Sequence, residues 1–126
     1  MKVGGFTFKS KVIKSPIPVL LVCCDSKSPD REKMDTALAK LESEFMGVCK
    51  ILHFDIDKNK KLAERFGISE SPSLVTFIQD LTLETKVGVL TEDEIRAMID
   101  KLLKKYKESG LGDAIVHERL KSLGYM

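Results

Sequence analysis

Val19-Leu20-Leu21-Val22-Cys23-Cys24-Asp25-Ser26-Lys27-Ser28-Pro29-Asp30-Arg31-Glu32-Lys33-Met34 carries an apolar run through a polar turn into a helical pattern. Val19 to Cys24 is continuously apolar and enters from Pro16 and Pro18, which force the preceding residues out of the α region. A short run of this kind predicts a strand buried on both faces. After the turn, Met34, Ala37, Leu38, Leu41 and Phe45 repeat at i, i+3, i+4 and i+7, which predicts an amphipathic helix closed at Gly47. Ser28 suits its N-cap and Pro29 its first helical position, where a missing N–H costs nothing. A strand-to-helix junction places free helix N–H groups and the positive end of the helix dipole in open space, so Asp25 to Met34 is the first place to seek function.

Working outward, Phe6-Thr7-Phe8 reads as a short strand after Gly4-Gly5, and Ser10 as the cap of a brief helical turn from Lys11 to Lys14. Val48 to Ile56 alternates loosely and predicts a second core strand. Lys61 to Phe66 predicts a short helix ended by Gly67. Ser73 to Ile78 reads as a third long strand. A turn from Gln79 to Thr82 then leads into Leu83 to Val87, giving an antiparallel hairpin. Thr91 and Glu94 have the spacing of a capping box ahead of the stripe Ile95, Met98, Ile99, Leu102, Leu103 and Tyr106. Ser109 to Gly112 breaks that helix, and a last one follows with Ile115, Val116, Leu120 and Leu123 apolar. The predicted order, β-α-β-α-β-α-β-β-α with an added C-terminal helix, implies an α/β protein with a mixed sheet flanked by helices.

Composition narrows the function classes. At 126 residues, 43% hydrophobic and 32% charged, the chain has the makings of one globular domain, here 1–106, with a helical extension, 107–126. Twenty-one basic residues against 19 acidic ones, without segregation, argue against a nucleic-acid surface. The longest apolar run, Ile17 to Cys24, is far short of the roughly 20 residues that span a bilayer. No membrane association is expected. Met1 to Gly5 lacks the basic flank and apolar core of a secretion signal, so a cytoplasmic location is expected. Three cysteines, none in a Cys-x-x-Cys pair, make neither a disulfide framework nor a zinc site. His53 and His117 have no ligand partners at suitable spacing, and neither a metal nor a cofactor is expected.

From Phe6 to Lys104 the chain resembles the thioredoxin family. The anchors, in order, are Pro18-Val19-Leu20-Leu21-Val22, Phe54-Asp55-Ile56-Asp57-Lys58-Asn59, Arg65-Phe66-Gly67-Ile68, Ser71-Pro72-Ser73-Leu74 and Lys86-Val87-Gly88-Val89-Leu90-Thr91. The resemblance implies the thioredoxin fold, with Pro72 as the family's cis-proline. It also places the family's Cys-Gly-Pro-Cys on Ser28-Pro29-Asp30-Arg31, the preceding aromatic on Lys27, and the buried acid that assists proton transfer on Val22. Disulfide exchange needs a thiolate and a second, resolving thiol. A serine hydroxyl cannot form the mixed disulfide.

Three functional readings follow. The first is a redox-inactive protein- or peptide-binding, chaperone-like module, with Ser28, Pro29, Ser71, Pro72, Val87 and Gly88 as the binding groove; in the family, the residue before the cis-proline offers its backbone to an extended peptide. The second is a single-thiol oxidoreductase or redox sensor using Cys24, or less favourably Cys23; Cys24, at the strand end, is the thiol expected nearest solvent, and Cys49 is expected in the core. The third is an oligomerisation unit, a homo-oligomer held through Ile115, Val116, Leu120 and Leu123.

Overall fold

The computed structural model describes residues 2–5 and 7–108. The expected C-terminal helix, with His117, lies outside the described residues. Five strands form one sheet: β1 (Lys2–Val3), β2 (Val19–Cys24), β3 (Lys50–Asp55), β4 (Ser73–Ile78) and β5 (Leu81–Val87), in the order β1-β3-β2-β4-β5. β3 runs parallel to β1 and β2, whereas β4 is antiparallel to β2 and β5, so the sheet is mixed. Helices α1 (Asp30–Glu44), α2 (Lys60–Arg65) and α3 (Glu92–Glu108) connect or follow the strands.

The unbroken apolar run of β2 is explained by its central place. All six of its residues are buried, and they divide by alternation between two cores. Leu20, Val22 and Cys24 meet Met34, Leu38 and Leu41 of α1 and Ile95, Met98, Ile99 and Leu102 of α3. Val19, Leu21 and Cys23 face Phe8, Val12, Leu52, Phe54 and Phe77. On that second side Phe8 packs edge-on against Phe54 and Phe77, and its centroid lies 4.9 Å from that of Phe66.

Several local features match the sequence pattern. Thr91 and Glu94 exchange the two bonds of a capping box, Glu94 N–H to Thr91 Oγ1 at 3.2 Å and Thr91 N–H to Glu94 Oε1 at 3.0 Å. Gly67 closes α2 with φ +70°, a conformation that favours glycine because it has no Cβ. Tyr106 is buried and donates its hydroxyl to the Pro16 carbonyl at 2.6 Å, tying α3 to the segment that leads into β2.

Most boundaries move by a residue or two, as Val48 to Ile56 becoming Lys50–Asp55 and Lys61 to Phe66 becoming Lys60–Arg65, and the start of the chain and the hairpin differ by more. The first strand is Lys2–Val3, paired with His53 and Phe54, and not the Thr7-Phe8 stretch. The Gly4 carbonyl accepts the N–H groups of both Thr7 and Phe8, which curls the chain into a five-residue π-helical turn, Lys9–Ile13. Ser10 therefore lies inside that turn, where its hydroxyl bonds the Thr7 carbonyl, and does not cap it. The hairpin turn is also tighter than Gln79 to Thr82. Gln79 takes φ +56°, and β5 begins at Leu81. Past a bulge between Thr76 and Phe77 in the β4–β5 register, Thr82 and Leu81 still pair with Phe77 and Ile78, ahead of the expected strand start at Leu83.

Candidate functional site

β2 ends at Cys24, between a parallel and an antiparallel neighbour, and the chain leaves the sheet there. The turn that follows is held on two sides. Ser71 Oγ accepts the Asp25 N–H at 2.9 Å. On the other side Asp57 accepts the Ser26 N–H at 2.8 Å and its hydroxyl at 2.6 Å. These two hydrogen bonds from Ser26 hold the Asp57 carboxyl below its ordinary range. Ser28 N–H closes the turn on the Asp25 carbonyl at 3.0 Å.

Ser28 then starts the helix. Its Oγ accepts the Asp30 N–H at 3.2 Å, and Pro29 already has helical dihedrals, φ −77° and ψ −5°. One of the orphan N–H groups at the start of α1 is thereby satisfied by a side chain. Asp30 and Glu32 in the first turn also favour the helix dipole.

Across from this turn, the Ser71–Pro72 peptide bond is cis. The Pro72 carbonyl accepts the Gly88 N–H at 2.9 Å, and Gly88 takes φ +111°. The chain of contacts from the Asp25 turn through Ser71 and Pro72 to Gly88 thus brings three separated segments of sequence to one end of the sheet. Val87, beside Gly88, is 53% exposed.

Arg31 is the residue whose partner sequence reading missed. Its Nη2 donates to Asp55 Oδ1 at 2.9 Å and to the Phe54 carbonyl at 3.4 Å, with the side chain only 19% exposed. Asp55 is buried at the end of β3 and is also approached by Lys2 at 3.3 Å and Lys58 at 4.0 Å. Burial pushes the Asp55 carboxyl up, but the hydrogen bonds from Arg31 and Lys2 prevail and hold it below its ordinary value. Burial likewise opposes the charge on Arg31, and the hydrogen bonds and charges of Asp55 and Cys24 together more than offset it. The available signal was the Asp55-Ile56-Asp57 triplet closing a strand whose buried positions are otherwise apolar.

All three cysteines are buried and free. Cys24 is completely covered, so the expectation that it reaches solvent at the strand end is corrected: Asp25 is the first exposed residue. Burial raises the Cys24 pKa against the opposing influence of Arg31. Cys23 and Cys49 are pushed up to about 12 by burial. Among the described residues, no group of three or more potential ligands is placed to hold a metal ion. Nor is any helix among them long and apolar enough to cross a membrane.

A mixed five-stranded sheet in this order, with helices on both faces, defines an α/β protein of thioredoxin fold. The chain belongs to the thioredoxin family, whose model, described as Thioredoxin, matches residues 2–101. Among characterised relatives it is 28% identical over 101 residues to thioredoxin of Haemophilus influenzae, covering 80% of this chain and 94% of that protein. It is 24% identical over 95 residues to thioredoxin of Rickettsia felis, covering 75% of this chain and 90% of the relative. For thioredoxin of Acidithiobacillus ferridurans the figures are 26% over 101 residues, 80% and 94%.

Proposed function

We propose that this chain is a redox-inactive thioredoxin-like module that binds an extended segment of another protein across the Ser28, Ser71-Pro72 and Val87-Gly88 end of the sheet. The observation that carries the reading is the occupancy of the strand-to-helix junction. Where the family resemblance places the two redox cysteines stand Ser28, engaged as a helix cap, and Arg31, engaged in an ion pair with Asp55. Neither side chain can form or resolve a mixed disulfide, because both steps require a sulfur nucleophile. Burial of all three thiols, each with a raised pKa, counts against the single-thiol alternative as well.

Support for binding is geometric. The Ser71–Pro72 turn is fixed through the Ser71 hydroxyl and the Pro72 carbonyl, and exposed Val87 adjoins it. Two experiments test the two halves of the reading. In an insulin-reduction assay driven by dithiothreitol, the protein is expected to give no turnover above background; clear turnover overturns the inactive assignment. Because the chain has no tryptophan, Lys27→Trp places a single indole reporter on an exposed position beside Ser28. Titration with a reduced, alkylated, unfolded polypeptide is expected to shift its emission, and Pro72→Ala to weaken that response. An unchanged spectrum at saturating polypeptide overturns the groove.

A further inference from the structure

Strand β5 forms one edge of the sheet, paired with β4 on one side only. Such an edge presents a row of unpaired backbone donors and acceptors. The direction of those groups follows from two contacts. Gly88 N–H turns inward to the Pro72 carbonyl at 2.9 Å, and Glu84 N–H turns inward to Thr76 Oγ1 at 3.1 Å. Between them the register is regular, Thr76↔Glu84, Val75↔Thr85, Leu74↔Lys86 and Ser73↔Val87. Backbone groups alternate along an antiparallel strand, so Glu84, Lys86 and Gly88 direct theirs to β4, while Thr85 and Val87 direct theirs outward.

The side chains around Thr85 are antisymmetric in charge: Glu84 before it, Lys86 after it. If a second copy of β5 pairs antiparallel about a two-fold axis through Thr85, Thr85 meets its own copy in a hydrogen-bonded pair. Glu84 then stands opposite Lys86 of the other copy, twice. These are non-hydrogen-bonded positions, where facing side chains come closest and opposite charges attract. Glu84 and Lys86 both lie on the α3 side of the sheet, because their β4 partners Thr76 and Leu74 do. There Glu84 Oε2 is 3.7 Å from Lys101, while Oε1 is buried and has no hydrogen-bond partner among the described residues, so a facing Lys86 would offer the carboxylate a second cation. Exposed apolar side chains flank this charged centre: of the four exposed large hydrophobics among the described residues, Leu81, Val87 and Val89 lie on β5 or within two residues of its end.

We propose that β5 is a self-pairing edge, through which two copies of this chain join their sheets into one ten-stranded sheet centred on Thr85. This surface is distinct from the C-terminal helix considered from sequence; it shares Val87 with the proposed peptide groove but does not rest on that reading. An isologous contact of this kind closes at two copies, because each edge is consumed by its partner.

Analytical ultracentrifugation of the full chain over a concentration series tests the proposal. The wild type is expected to reach twice the chain's own mass, with association weakened by added salt. Lys86→Glu sets two acids opposite one another, and Glu84→Lys sets two bases, so each variant alone is expected to sediment as a monomer. Mixed one to one, they are complementary at both positions, and the dimer is expected to return. Thr85→Pro removes the central outward donor without touching the β4 ladder, and is expected to be monomeric with a native circular dichroism spectrum. This variant and Lys86→Glu carry the test if Glu84→Lys fails to fold. A wild type that stays monomeric, a dimer that survives both Lys86→Glu and Thr85→Pro, or two folded charge variants that fail to associate when mixed overturns the proposal.

Discussion

Replacing Asp55 by asparagine tests the ion pair that occupies the candidate site. The substitution keeps shape and one acceptor but removes the charge facing Arg31, whose side chain is 19% exposed and also donates to the Phe54 carbonyl at 3.4 Å. Breaking a buried pair by removing one partner costs about 3–5 kcal/mol. Partial exposure of Arg31 and the remaining amide acceptor reduce this to about 2–3 kcal/mol. With a urea slope of about 1–3 kcal/mol per molar, the unfolding midpoint should fall by roughly 0.7–3 M. Arg31→Met should cost less, because Lys2 and Lys58 still face the carboxylate left behind. The double variant should cost less than the sum of the two single ones, as expected for groups in contact.

Acid titration supplies a second readout. The folded Asp55 pKa lies below its ordinary value of 3.8, so the stability this carboxylate contributes is fully present above that value. It is lost as pH falls through the lower, folded pKa. That limb of the stability curve should be missing in Asp55→Asn. A urea midpoint for Asp55→Asn corresponding to less than about 0.5 kcal/mol of destabilisation, the range of ordinary surface changes, would refute the reasoning. So would a larger loss for Arg31→Met than for Asp55→Asn.

Other expected outcomes follow from single contacts. No cysteine should react with an aromatic disulfide reagent at pH 8 in the native protein, and all three should react in denaturant, since burial both shields the thiols and suppresses thiolate. Fast labelling of one native thiol would revive the single-thiol reading. Tyr106→Phe should lose about 1–2 kcal/mol in urea unfolding, because the Pro16 carbonyl loses the donor held at 2.6 Å. A neutral effect would mean that the bond contributes nothing net. Thr91→Ala should cost about 1 kcal/mol by removing half of the capping box, read from the shift in thermal midpoint. Gly67→Ala should also destabilise, by about 1 kcal/mol, because φ +70° strains any residue with a Cβ.

Much of the fold is legible in the sequence because it is written in local periodicity. The unbroken run Val19 to Cys24 requires burial on both faces, and only a central strand offers that. The stripes of α1 and α3 each require a sheet face to cover them. Ser28 and Thr91 announce helix starts because capping is chemistry between residues two or three apart. What depended on the tertiary structure is everything that joins distant segments. Arg31 reads as a solvated helix charge until β3 brings Asp55 to it, 24 residues away in sequence. Asp57 and Ser71 become supports of the Asp25–Ser28 turn only when the sheet order sets β3 and β4 on either side of β2. The place of Cys24 at the end of a strand predicts an accessible thiol, yet packing beneath α1 closes over it. The start of the chain departs from its local pattern for the same reason: a two-residue strand such as Lys2–Val3 has too little periodicity of its own, and exists because β3 supplies its partner. Local pattern determined the elements and their caps; long-range pairing, which no window of sequence contains, decided which polar groups meet at the end of β2.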